Sequence, residues 1–358
     1  MSIIFVRTGD YDVTPAIPRY IMAAREALDA SEIKVICWKN HGKQKPSREF
    51  IDGIEIFRYQ ARATSGSIGK YFAMIGWYAF ISKILVAKRC RLVQPSDAFC
   101  LPPVLALRKI MNYEIVLDIR DPVSLMAQTS LGRLAYPFEK LESVCAGVAK
   151  RVIVVDENRR KYLPEKISLS SKILVVRNLP LTDIGAERLS YEPSVRTVVV
   201  NFSGYLSKIR GYEMLVELLA SDKECILQVV GESSDSEVKD FVTSNKQVKY
   251  SGRVENRRSL EIMAKSDLVA LLYDPQYRFN VDAAPNKMYE ALMVGRPIVA
   301  PIGTPMADII DRYDCGYKIP FGDAEALRKV VAGVRSQPEI WINPIVAKNS
   351  RFEQPCFI

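Results

Sequence analysis

The densest chemistry in the chain lies in Asp282-Ala-Ala-Pro-Asn-Lys-Met-Tyr-Glu-Ala-Leu-Met-Val-Gly-Arg-Pro-Ile-Val-Ala300. Its spacing predicts a helix over 286–294, closed by Gly295 and Pro297. Pro285 stands near the helix start, where its missing N–H costs nothing. The first turn, at Asn286, offers N–H groups and the positive end of the helix dipole, a natural seat for a diphosphate. Lys287 can add a point charge to a leaving phosphate. Glu290 follows one turn later, and its carboxylate can accept two hydrogen bonds from a ribose diol. Taken alone, Lys287 and Glu290 fit solvated helix positions equally well.

Other chemistries are excluded by what is missing. The sequence has no GxGxxG, no Walker loop, no GxSxG and no HExxH. Its one histidine, His41, rules out a multi-histidine metal site and a paired-histidine acid/base device. The seven cysteines (Cys37, Cys90, Cys100, Cys145, Cys225, Cys315 and Cys356) are odd in number, scattered and never in CxxC spacing. They read as reduced thiols of a cytosolic protein. No metal and no cofactor is expected.

The elements that must position these residues follow from periodicity. A chain of 358 residues, 48% hydrophobic and 25% charged, is globular and long enough for two domains at about 100–200 residues each. Strand-like runs alternate with helical ones: Ser2 to Val6, Ile33 to Trp38, Ile54 to Tyr59, Ile115 to Asp118, Val152 to Val155 and Ile173 to Val176, with helices between. The pattern restarts at Thr197 to Phe202 and continues through Cys225 to Val230, Val248 to Ser251, Leu268 to Leu272 and Ile298 to Ala300. Such alternation predicts α/β architecture, two doubly wound Rossmann-like parallel-sheet domains facing across a cleft. The expected divisions are residues 1–180 for a first domain and 181–195 for a linker. Residues 196–338 form a second domain and 339–358 a tail. Ligands in such sheets sit at the carboxyl ends of the strands.

Charge is uneven. Residues 1–192 hold 29 Lys+Arg against 20 Asp+Glu and carry the whole net +9, while residues 193–358 hold 21 of each. Between Glu55 and Asp97 there are seven basic residues and no acidic one. That stretch contains the apolar run Tyr71 to Ile81, too short for the roughly 20 residues of a membrane span. Lys70, Trp77, Lys83 and Lys88 suit a helix lying at the headgroup level of an anionic membrane. A buried core helix with a solvated basic end fits the same pattern. The amino terminus reads as a first strand and not as a signal peptide, so a cytoplasmic protein is expected, peripheral at most on the inner face of the membrane.

Several segments, in order, carry a family likeness. Asp282-x7-Glu290 followed by Ala-Leu-Met-Val-Gly-Arg-Pro-Ile-Val resembles the acidic-x7-Glu signature of glycosyltransferase family 4. Gly204-Tyr-Leu-Ser-Lys-Ile-Arg-Gly211 is similar to that family's phosphate loop. Leu227-Gln-Val-Val-Gly231, Tyr250-Ser-Gly-Arg-Val254 and Ser266-Asp-Leu-Val269 match the steps around it. The resemblance implies a retaining, nucleotide-sugar-dependent transferase of GT-B fold, with a UDP- or GDP-linked sugar as substrate. It places Glu290 on the ribose, Asp282 on the donor sugar, and Arg210 and Lys287 on the diphosphate. Gly204, Gly231, Arg253 and Val254 line the donor, with the last two facing the base. Tyr205 stands where the family has arginine, and Lys208 is the candidate to supply that charge. Arg120 stands where many relatives have a histidine near the reaction centre. Its neighbours Asp118 and Asp121 orient it or cap a strand end. Gly9 ends the first strand and lets backbone approach the diphosphate. It serves equally as a loop glycine.

The function the resemblance implies is transfer of a sugar to a glycan or lipid-linked acceptor in surface polysaccharide or glycolipid synthesis, with the first domain binding the acceptor and Lys70, Trp77, Lys83 and Lys88 meeting that acceptor or the membrane. Two alternatives share the fold: an inactive membrane scaffold, kept open by Tyr205 and Asp282, and a nucleotide-sugar epimerase. Nucleic-acid binding finds no motif to support it.

Overall fold

A computed structural model of the chain describes residues 2–9, 11, 16–28, 32–38, 45–61, 67–126, 135–178 and 197–337. They fall into two compact units, one ending at Arg177 and one opening at Asn178. The expected linker 181–195 and tail 339–358, like His41, lie outside the described residues.

The first unit is built on eight strands: β1 (Ser2–Arg7), β2 (Glu32–Trp38), β3 (Arg48–Ile51), β4 (Ile54–Tyr59), β5 (Leu92–Pro95), β6 (Glu114–Ile119), β7 (Arg151–Val154) and β8 (Ile173–Val175). Their order is β3-β4-β2-β1-β5-β6-β7-β8. All neighbours run parallel except the β3–β4 hairpin, which opposes Arg48 and Phe57. Strands buried on both faces read as continuous apolar runs, and β1 shows why. Ile4 and Val6 enter a core with Trp77 and Leu117, while Ile3 and Phe5 enter the opposite one with Ile17 and Tyr20.

The apolar helix of this unit is Ser67–Ala87. Ala73, Trp77, Ile81, Ile84 and Leu85 form its buried stripe at helical spacing. Trp77 is wholly buried, its ring 5.7 Å from that of Trp38 and 5.8 Å from that of Tyr59. This corrects the expectation that Trp77 meets an acceptor or a membrane: it lies on the inward stripe. Phe72, Ile75 and Val86 face outward instead, 69%, 63% and 53% exposed. Lys83 is exposed. Lys88 turns to Glu55, 3.4 Å away, and to the Phe57 ring. Lys70 belongs to the same helix, with its side chain outside the described positions. Among the described residues no helix is long and apolar enough to cross a membrane.

The second unit holds six parallel strands: β9 (Val198–Tyr205), β10 (Cys225–Glu232), β11 (Val248–Tyr250), β12 (Leu268–Ala270), β13 (Ile298–Pro301) and β14 (Gly316–Ile319). Their order is β11-β10-β9-β12-β13-β14. Both sheets therefore change winding direction once, between β1 and β5 in the first unit and between β9 and β12 in the second. Open α/β sheets bind ligands at the carboxyl ends of the strands beside such a switch point.

Candidate active site

At the β9–β12 switch point the strand ends in a glycine pair. Gly204 on β9 faces Gly231 on β10, with φ of +138° and +139°. A Cβ on Gly231 would lie 1.8 Å from the Gly204 carbonyl oxygen, so only glycine allows this approach. The chain then makes a single 3-10 turn, Lys208–Arg210, and enters the helix Tyr212–Ser221 through Gly211 at φ +75°. This loop is pinned to the segment after β12. Asp274 N–H donates to the Ile209 carbonyl at 3.1 Å, and the Asn280 side chain donates to the same oxygen at 3.3 Å and to Asp274 O at 3.0 Å. Asn280 is fully buried on the helix Arg278–Val281, which Asp282 caps. Arg210 stacks on Tyr273, its guanidinium carbon 3.6 Å from the ring centre. Such stacking fixes the plane of the guanidinium without using its donors.

The predicted helix is Asn286–Met293, with Pro285 as its cap residue. No side chain caps it and its first turn holds no acidic residue; Met288 N–H turns back to the Pro285 carbonyl at 3.1 Å, and the N–H groups of Asn286 and Lys287 before it can meet an external oxyanion. Met288, Tyr289, Ala291 and Leu292 pack into the core with β12 and β13. That packing orients Lys287 and Glu290. Lys287 Nζ donates to Glu290 Oε2 at 2.6 Å and to Ser259 Oγ at 3.2 Å, and Asn256 Nδ2 donates to Glu290 Oε1 at 3.1 Å. Glu290 is 3% exposed. Each carboxylate oxygen keeps a second lone pair and the ammonium a third N–H, so the pair can still bind a ribose and a phosphate. Burial pushes the Tyr273 phenol up, Arg210 pulls it down and Glu290 pushes it up again. Arg210 and Glu290 thus both act electrostatically on that ring.

The remaining candidates are spread around this centre. Tyr205 is exposed, and its hydroxyl bonds Ser234, whose hydroxyl and N–H lower the phenol's pKa. Lys208 sits 3.6 Å from both Glu213 and Glu237, whose charges raise its pKa, so any charge it lends a phosphate is shared. Gly252 takes φ +61° and its carbonyl accepts from Gly231 N–H at 2.8 Å. Arg253 beyond it is exposed and Val254 half-buried. Asp282 is 4% exposed. Asn280, Tyr273, Asn256 and Ser259 belong to no motif and were not anticipated.

The first unit has its own polar edge at its switch point. Thr8 donates its N–H and its hydroxyl to Asp97 Oδ2, each at 2.8 Å. Gly9 follows, and a Cβ there would meet the Arg7 guanidinium at 3.1 Å. Asp118 is fully buried, accepts from the Tyr20 hydroxyl at 3.0 Å and lies 3.5 Å from Arg120 Nε. Burial pushes the Asp118 carboxyl up against the pull of Arg120 and Tyr20. Burial works against the charge on Arg120, but Asp118 and Tyr20 outweigh it and raise its pKa. Arg159, also unanticipated, is 3% exposed and reaches Asp121 at 3.2 Å. Among the described residues no group of three His, Cys, Asp or Glu side chains could hold a metal ion.

Residues 197–335 match the family described as Glycosyl transferases group 1. In three dimensions nearly the whole chain is similar to solved structures. A sucrose-phosphate synthase from Thermosynechococcus elongatus has a TM-score of 0.70 at 14% identity, over 98% of this chain and 93% of that one. WaaG, a glycosyltransferase involved in lipopolysaccharide biosynthesis, has a TM-score of 0.66 at 15% identity, over 98% and 95%. HepE from Anabaena, in complex with UDP and glucose, has a TM-score of 0.64 at 17% identity, over 97% and 94%. No curated protein matches in sequence. The fold is that of the GT-B glycosyltransferases.

Proposed function

We propose that the chain transfers a sugar from a nucleotide-diphosphate donor to a glycan or lipid-linked acceptor, with retention of configuration. The observation that carries this reading is the Lys287–Glu290 pair at an uncapped helix mouth, together with an arginine of the same unit held flat on Tyr273. When the anomeric C–O bond breaks, its electron pair goes to the diphosphate and the sugar becomes cationic. Positive charge placed in advance on the diphosphate is the largest help available. Arg210, Lys287 and the helix N–H groups supply that charge without calling on a divalent metal. Glu290 holds the ribose and Asp282 the donor sugar. The acceptor oxygen attacks from the departing side, and its proton passes to the donor phosphate. By the family resemblance Arg120 would act as a fixed cation in such a step, and no general base is required. A glycolipid or surface polysaccharide as product agrees with the basic first unit and with WaaG, the lipopolysaccharide enzyme of the same fold.

A panel of nucleotides and nucleotide sugars in a thermal-shift assay tests the reading. A ligand that binds the folded state alone raises Tm by mass action, so UDP or GDP and one of its sugars should do so. Calorimetry showing no such ligand bound at millimolar excess would sink it.

A further inference from the structure

We propose that the first unit carries an oxyanion site of its own, in which Arg7, Arg120 and Arg159 grip a phosphate group of the acceptor. The acceptor assignment rests on the transferase reading above. The phosphate site itself does not.

Parallel register brings the three arginines to one edge. β1 and β5 align Val6 with Pro95, β5 and β6 align Val93 with Ile115, and β6 and β7 align Ile119 with Val154. Arg7 ends β1, Arg120 follows β6, and Arg159 lies just beyond β7. They are coupled electrostatically. Arg7 is repelled by Arg120 and attracted by Asp97 and Asp118, and Asp121 bridges toward Arg159.

Five of their nitrogens are buried without a hydrogen-bond acceptor among the described residues: Arg7 Nε, Arg120 Nε and Nη2, and Arg159 Nε and Nη1. A guanidinium cannot shed its proton, so these donors stay charged, and of the five only Arg120 Nε has a counter-charge at long range among the described residues, the Asp118 carboxylate 3.5 Å away. Buried polar groups of this kind are rare and costly. The carboxylates nearby are already engaged. Asp97 accepts two bonds from Thr8 and one from the Cys100 thiol, and Asp118 Oδ1 accepts from Tyr20. A group with several charged oxygens supplies the missing acceptors, and forked guanidinium donors match phosphate geometry. Asp118 Oδ2 is itself buried without a hydrogen bond.

The test uses full-length protein and inorganic pyrophosphate, with melting shifts and calorimetry as readouts. Arg159→Lys and Arg7→Lys keep the charge and remove the fork. Each should weaken pyrophosphate binding at least tenfold and leave the response to UDP as it is in the wild type. Arg210→Ala should do the reverse. Pyrophosphate affinity unchanged in both lysine variants, or lost in Arg210→Ala alone, overturns the site. A UDP response that falls together with pyrophosphate in Arg7→Lys assigns these arginines to the donor and overturns the acceptor role. Wild-type protein that ignores UDP and GDP but binds pyrophosphate through Arg159 fails the transferase reading only. Far-UV circular dichroism checks folding, and Arg7→Lys, at a half-buried position, carries the test if Arg159→Lys does not fold. Vesicles bearing a polyprenyl diphosphate are compared with a soluble hexose phosphate. Preference for either one supports the site and identifies the source. Binding of neither above the Arg159→Lys level overturns it.

Discussion

Lys287 and Glu290 stabilise each other as much as they serve a ligand, and this changes what their substitution reports. Glu290 is 3% exposed, and Lys287 is its only cationic partner among the contacts seen. Lys287→Ala strands a buried carboxylate with one amide donor, Asn256. Removing one partner of a buried pair costs about 3–5 kcal/mol, and the partial exposure of Lys287 brings the expectation to about 2–3 kcal/mol. Arg210 is half-buried and stacked on a ring, so Arg210→Ala should cost only about 1 kcal/mol. Denaturant titration of both variants checks the contrast. Equal losses would mean that the ion pair does not hold the helix mouth. For assigning catalytic roles, Arg210→Ala is therefore the cleaner substitution. Turnover should fall by at least tenfold with Tm nearly unchanged, and a normal rate would remove Arg210 from the diphosphate.

At the scale of elements, the helix Ala135–Val148 carries a second buried carboxylate, Glu142, which accepts from Val123 N–H at 3.4 Å. Val123 opens the short helix next to Asp121 and Arg120. Burial pushes Glu142 from 4.5 up to about 8, against the Val123 bond and with help from Glu139. A raised carboxyl pKa favours the protonated fold. Its contribution is whole below about pH 4.5 and is lost as pH rises through about 8, to the extent of roughly 3–5 kcal/mol. Glu142→Gln should remove that decline, and denaturation midpoints at pH 5 and pH 9 measure it. Equal slopes in the two proteins would place the titration elsewhere. The elements themselves were unevenly legible. Runs such as Ile3-Ile4-Phe5-Val6 announce buried parallel strands, and most central strands followed that rule. β5, Leu-Val-Gln-Pro, and β14, Gly-Tyr-Lys-Ile, were missed because four residues with a proline or a lysine carry little pattern. β3, Arg-Glu-Phe-Ile, was missed because an edge strand need not be apolar. The polar helices Ser236–Ser244 and Pro305–Tyr313 escaped the search for apolar periodicity, although Asp235 caps the first and a proline opens the second. Site residues follow the same logic. Lys287 and Glu290 are legible because one helix turn joins them. Asn280, Tyr273 and Arg159 act through contacts that only the tertiary fold creates.

At the scale of the molecule, the charge asymmetry and the outward face of Ser67–Ala87 point to one property. All of the +9 lies in residues 1–192, and the helix presents Phe72, Ile75 and Val86 to solvent with Lys83 beside them. Its inward stripe, Trp77 included, already fills the core, so the outer apolar groups do not serve folding. A helix apolar on both sides with basic flanks suits a lipid–water boundary. Binding to anionic vesicles is expected, with each nearby Lys or Arg worth about 1 kcal/mol at low salt. It should weaken as salt shortens the screening length, which is about 10 Å at 0.1 M. Phe72→Asp with Ile75→Asp removes two exposed apolar side chains, each worth about 1.5–3 kcal/mol when buried. Partition should fall at least tenfold while the melting temperature holds, because both side chains are mostly exposed. Co-sedimentation separates the two contributions: the double variant should lose the salt-resistant part and Lys83→Glu the salt-sensitive part. Wild-type protein that stays in the supernatant with anionic vesicles at low salt would remove the membrane from the reading. The donor site proposed for the second unit would be untouched, because none of its residues lies on that helix.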